Sequence, residues 1–153
     1  MPVKDGTETR PPVWFWLISI VLLLWGVASA SIYVAFFVET PEEFARGAEI
    51  EANWEAYAEY VANIPWWAIA AGIAAAVTRL LGAIGLLLRR AWVLPLYIVS
   101  TVCLLVALFR AFVLANVATV MSGPHIATEF VFVALSVFAV WFARESKSRE
   151  ILT

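Results

Sequence analysis

Residues 66–95 read WWAIAAGIAAAVTRLLGAIGLLLRRAWVLP, and this stretch decides the fold. Two tryptophans open an apolar run that ends at Arg89-Arg90, and Trp92 and Pro95 open the next one. A helix needs about 20 apolar residues to cross a hydrocarbon core of about 30 Å. Residues 64–88 are apolar except for Arg79, which is one crossing. Working outward, residues 13–38 carry no charge, residues 92–121 are apolar except for Arg110, and residues 126–143 except for Glu129. Four spans are expected, in an all-α integral-membrane four-helix bundle. Residues 89–91 and 121–125 form its short turns, with Gly123 suited to a helix C-cap and Pro124 to a first helical turn.

Composition agrees. The chain of 153 residues is 63% hydrophobic and 14% charged, whereas a soluble domain is about half apolar and about a quarter charged. A single cysteine, Cys103, excludes an internal disulfide, and a single histidine, His125, argues against an all-protein metal site. No metal or cofactor is expected. No Ser–His or Cys–His pairing and no phosphate-binding loop is present, so the chain is read as no enzyme. No basic patch with interleaved aromatics suggests nucleic acid; the lipid bilayer is the expected partner.

Charge orients the spans. Lys4 and Arg10 precede the first, Arg89 and Arg90 join the second and third, and Arg144, Lys147 and Arg149 follow the fourth. All three clusters fall on one side, which the positive-inside rule makes cytoplasmic. A 1–12 tail and a 144–153 tail are then cytoplasmic, and residues 13–143 form one membrane domain in a bacterial inner membrane. Trp14, Trp16, Trp92 and Trp141 mark one interface and Trp66 and Trp67 the other; Trp25 and Trp54 do not fit such a belt. A rival reading makes the first span a signal peptide, with Ala28-Ser29-Ala30 resembling a cleavage site. The apolar run continues to Val38, which favours a retained anchor.

Residues 39–63 hold seven glutamates and one arginine. Thr40-Pro41-Glu42-Glu43 reads as a capping box with proline at the first helical position. Phe44, Ala48, Trp54, Tyr57 and Val61 can share an apolar face, with Glu51, Glu55 and Glu59 on a polar one. An amphipathic helix over 41–62 is expected against the outer membrane face or capping the bundle. The glutamate ladder reads as a solvated face rather than a cation-gathering rim.

Arg79, Arg110 and Glu129 carry charge at membrane depth, where it is paired or used. Helical side chains lean toward their own N-terminus. Arg79 therefore leans outward, Arg110 inward, and Glu129 lies axially between them. An Arg79–Glu129–Arg110 cluster is expected if all three face inward. It reads as a buried ion pair fixing register, as a site for an anion or polar headgroup, or as a contact to another subunit. Thr78, Asn116 and Thr128 are its candidate polar neighbours. Gly72, Ala76, Gly82 and Gly85 suit close helix packing within the bundle, or homodimerisation.

The stretch from Leu81 to Leu96, with Gly82 and Gly85, a leucine run, Arg89-Arg90, then Trp92 and Pro95, resembles a family of small bacterial four-span inner-membrane proteins. Their pattern has an aromatic-rich first span and an acidic outer segment, and they are often labelled sugar transporters. The resemblance implies a transport role but no catalytic or binding motif. Two functions are carried forward. One is a non-catalytic accessory or structural subunit of a membrane complex. The other is a small-solute, sugar-like transporter working as a homo-oligomer.

Overall fold

The computed structural model describes residues 11–47, 54–121 and 123–152. Every regular element among them is a helix: α1 (Val13–Val38), α2 (Pro41–Gly47), α3 (Trp54–Ala62), α4 (Trp66–Leu87), α5 (Val93–Phe109) and α6 (Gly123–Ser148). A π turn over Arg110–Leu114 extends α5, and a short 3-10 turn covers Val117–Thr119. α1, α4, α5 with its extension, and α6 are each long and apolar enough to cross a membrane. The chain is a multi-pass, all-α four-helix bundle.

Local chemistry sets the boundaries. Pro12 and Pro65 sit in extended backbone just ahead of α1 and α4. α1 ends where Thr40 precedes Pro41, a position that disfavours helix. The capping box forms: the Glu43 carboxylate accepts from the Thr40 backbone N–H at 2.9 Å, and the Glu43 N–H donates to the Thr40 hydroxyl at 3.3 Å. α4 ends in a Schellman motif, with Arg90 N–H donating to Gly85 O and Arg89 N–H to Leu86 O, each at 2.9 Å. Arg89 takes the left-handed position, φ 57°, that glycine usually fills.

The expected helix over 41–62 is helical at 41–47 and 54–62; Ala48 and Glu51 lie outside the described residues, as do Lys4 and Arg10. The third span is shorter than the expected 92–121. It stops at Leu114, because Asn116 turns left-handed at φ 47°. Asparagine tolerates that conformation better than most residues. Asn116, not Gly123, therefore ends this helix, and Gly123 opens α6 with Pro124 in its first turn. The 22 residues from 93 to 114 span about 33 Å, close to one hydrocarbon thickness.

The C-terminal segment is not a free tail. α6 continues through Arg144 to Ser148 and closes in a second Schellman pattern around Glu150, φ 56°. Ile151 and Leu152 then fold back and are buried, and the Arg89 Nε–H donates to Ile151 O at 2.9 Å. Two apolar residues beyond a charged run have an apolar core to return to.

α4 packs against α1 and α5, and α5 packs against α6. α1 and α6 meet through aromatic rings: Phe15 stacks on Phe142 at 5.8 Å, and Trp25 lies 6.3 Å from Phe132. Two apolar cores result. One, at the end bearing Arg89 and Arg144, gathers Phe15, Leu22, Leu86, Val93, Tyr97 and Phe142. The other, at the opposite or cap end, gathers Ala45, Tyr57, Ala58, Val61 and Val117 beneath α2 and α3. Leu17, Leu24 and Val34 of α1, and Val102, Leu105 and Phe109 of α5, stay exposed, as a surface facing lipid requires.

The small residues of α4 admit neighbouring rings. A methyl group on Gly72 would overlap the Tyr33 hydroxyl, one on Gly82 would sit 3.2 Å from the Tyr97 ring, and one on Gly85 would meet Val93 and Trp92 at 2.7–2.8 Å. Ala76 is buried beside them. The Ser100 hydroxyl donates to Ala75 O at 2.8 Å, tying α5 to α4.

Candidate functional site

Between the two cores the interior turns polar. Arg79 lies mid-way along α4 and is only 3% exposed. Its Nη1 donates to the Ser29 hydroxyl of α1 at 2.7 Å, and its guanidinium lies 4.0 Å from the centre of the Trp25 ring. Trp25 and Ser29 are four residues apart, so one face of α1 supplies both contacts. The Nε and Nη2 of Arg79 are buried with no hydrogen-bond partner among the described residues.

Arg110 opens the π turn and is 7% exposed. Such turns often occur at functional sites. Its Nη2 donates to Asn63 O at 3.1 Å, and its guanidinium lies 4.6 Å from the Tyr60 ring centre. Asn63 directly follows α3, where the helix dipole is negative and a cation is favoured. Arg110 thereby ties the cap to the bundle. Its Nη1 has no partner among the described residues.

Glu129 is half-buried on α6, about 9 Å from the start of that helix. The three expected charges share one region but not one ion-paired cluster. Among the described residues no N···O approach within 4.0 Å joins Glu129 to either arginine, and the ion pair that forms is the exposed Arg149–Glu145 contact at 2.7 Å. The reason is that α1 and the cap offer the arginines neutral partners: a hydroxyl, a carbonyl and two aromatic faces. Rotation about the helix axes, which spacing alone leaves open, aims them there.

Glu129 instead lies at the junction of three cavities. One of about 180 Å³ is shared with Arg110, Tyr33, Tyr57 and Tyr60. A smaller one, about 110 Å³, is shared with Arg79, Ser29, Tyr33 and Gly72. The largest, about 380 Å³, lies between α1 and α6 and reaches Glu39 and His125 at the cap end. It occupies the gap left where these two helices touch through rings rather than closely. Burial raises the phenol pKa of Tyr57 and of Tyr60, with Arg110 opposing it for Tyr60. Both remain O–H donors at neutral pH.

Of the expected neighbours, Thr128 lines the largest cavity while its hydroxyl donates to Pro124 O at 3.0 Å. The Thr78 hydroxyl donates back to Ala74 O at 2.6 Å within its own helix. Asn116 is exposed at the chain reversal and lines none of these three cavities. Sequence reasoning missed Tyr33, Ser29, Trp25, Tyr60 and Asn63. A signal existed for Trp25: it lies too deep for an interfacial belt. Trp54, the other tryptophan outside the belt, likewise carries a guanidinium, that of Arg46 at 4.6 Å.

No protein-family model, characterised protein or solved structure matches this chain.

Proposed function

We propose that the chain is a non-catalytic protein of the bacterial inner membrane that holds a small polar solute in the cap half of its bundle, as an accessory subunit of a membrane complex. One observation carries this reading: two buried arginines, which among the described residues leave three guanidinium nitrogens without partners, line cavities that meet at Glu129. Unpaired charged donors in a low-dielectric interior are strongly unfavourable unless water or a ligand completes them. The basic clusters support an orientation with the Arg89 and Arg144 end and both chain termini in the cytoplasm and the acidic cap outside. α1 acts as a retained span, since it contributes Trp25 and Ser29 to Arg79.

The test is thermal unfolding of the detergent-purified chain with neutral sugars, carboxylates, phosphate and amines. Stabilisation by one of these classes, lost on Glu129→Gln or Arg79→Ala, is expected. A flat response to all of them contradicts solute binding.

A second reading, a small-solute transporter working as an oligomer, draws on the cavity of about 380 Å³ that reaches the cap end and on the resemblance to proteins labelled sugar transporters. It predicts solute uptake into sealed vesicles that fails in Arg79→Ala. Uptake indistinguishable from protein-free vesicles counts against it.

A further inference from the structure

The cavity of about 380 Å³ between α1 and α6 differs in charge from its two neighbours. Glu39 and Glu129 both line it, and no arginine or lysine does. Its one imidazole, that of His125, belongs to a group mostly uncharged above about pH 7. Arg79 and Arg110 share only the two smaller cavities with Glu129. Each is held by other partners: Ser29 and Trp25 for the first, Asn63 and Tyr60 for the second. The large cavity therefore carries a negative excess in its own lining.

Glu129 is the inner pole of that excess. Among the described residues its carboxylate accepts no hydrogen bond and, unlike the orphaned arginine nitrogens, it keeps accessible oxygen. A half-buried carboxylate without a donor is unfavourable until water or a ligand satisfies it. Glu39, exposed at the end of α1, is the outer pole.

Aromatic rings line the space between. Phe44 comes from α2, Tyr57 from α3 and Phe132 from α6. The chain sets guanidinium groups against Trp14, Trp25, Trp54 and Tyr60, but against none of these three rings among the described residues. Carboxylates with aromatic walls suit an alkylated ammonium, whose charge is attracted to ring faces while its alkyl groups bury apolar surface. They suit a metal ion poorly. Calcium takes six to eight oxygen ligands, and among the described residues no group of three or more His, Cys, Asp or Glu side chains could hold a metal. The volume falls at the lower end of the range of about 300–1,000 Å³ that small-molecule sites occupy.

We propose that this cavity binds a small alkylammonium monocation, its charge held by Glu129 and Glu39 among the rings of Phe44, Tyr57 and Phe132. This rests on the solute-binding reading above and names the chemistry of that solute.

Radiolabelled choline serves as the probe, bound to the full chain in a neutral detergent. The competitors are dimethylbutanol, which puts carbon in place of the charged nitrogen, then glycine betaine, sodium and glucose. Saturable choline binding is expected, displaced little by equal concentrations of any of the four. Glu129→Gln keeps the shape, removes the charge, and weakens binding by about tenfold or more. Phe132→Leu keeps apolar bulk without a ring and weakens it by about threefold or more. If either variant fails to elute as a single peak in gel filtration, Glu39→Lys takes its place at an exposed position, with an expected loss of about fivefold. Binding within about twofold of the unaltered chain in the variants that fold overturns the assignment. Displacement by sodium or by dimethylbutanol as effective as by unlabelled choline also overturns it. So does tighter binding of betaine, or binding of glucose in place of choline, while each leaves a solute-binding protein standing. No choline binding, together with a flat unfolding response to sugars, carboxylates, phosphate and amines, contradicts both.

Discussion

A buried guanidinium can be stabilised without a carboxylate. Arg79 has a hydroxyl at one nitrogen and an indole face beneath it; a desolvated cation–π contact contributes about 2 kcal/mol, and a hydrogen bond to a charged group about 1.5–3 kcal/mol. Trp25→Phe keeps a ring face, whereas Trp25→Leu keeps only apolar bulk. Thermal unfolding in detergent is expected to show Trp25→Leu about 1–2 kcal/mol less stable than Trp25→Phe. Equal stability would mean that the indole serves packing alone. At this scale the sequence revealed which residues were anomalous and not what they touch. Arg79 stands out in residues 64–88 because it interrupts an apolar run. Its partners Ser29 and Trp25 lie 50 and 54 residues away on α1, and only the rotation of two helices brings them together. Serine is so common in membrane helices, as a donor to its own backbone, that Ser29 carries no distinguishing mark.

Helix ends and glycines carry the next set of consequences. The Thr40 N–H bond holds the Glu43 carboxyl below the ordinary glutamate value. Its contribution to folding is therefore present above the ordinary value and is lost as pH falls through the lowered folded value. Carboxyl NMR titration should give Glu43 a midpoint below that of a free glutamate, and Thr40→Ala, which removes the hydroxyl but keeps the backbone N–H, should return it only in part. A midpoint at the free-glutamate value in the unaltered chain would exclude the capping box. Gly72→Ala drives a methyl group into the Tyr33 hydroxyl and should cost about 1–3 kcal/mol. Adding Tyr33→Phe should restore part of that loss; no restoration would place the strain elsewhere. Glu150, exposed and left-handed at φ 56°, should be stabilised by Glu150→Gly by up to about 1 kcal/mol, read as a higher unfolding temperature. Element type was legible from apolar runs, and the capping box and Pro65 boundary from local chemistry. The end of the third span was not. Asn116 was a cue, since asparagine tolerates a left-handed backbone, but the uncharged and mostly apolar residues around it after Arg110 hid both the π turn and the end of the helix.

Across the whole molecule, a polar layer sits between an apolar core at the basic end and another beneath the cap. α1 is part of that layer. Cleavage after Ala30 would remove both Trp25 and Ser29 and leave Arg79 without its partners, so intact mass of the membrane-purified chain should retain residues 13–38. A mass beginning at Ser31 would refute this. If the cap faces outward as proposed, the cavities that meet at Glu129 are reached from outside the membrane. Glu129→Cys in a Cys103→Ser background, in sealed cells, tests it most directly. A membrane-impermeant thiol reagent added outside is predicted to label Cys-substituted position 129, through the gap between α1 and α6. Protection from the outside reagent, with labelling only after the cytoplasmic face is opened, would contradict it.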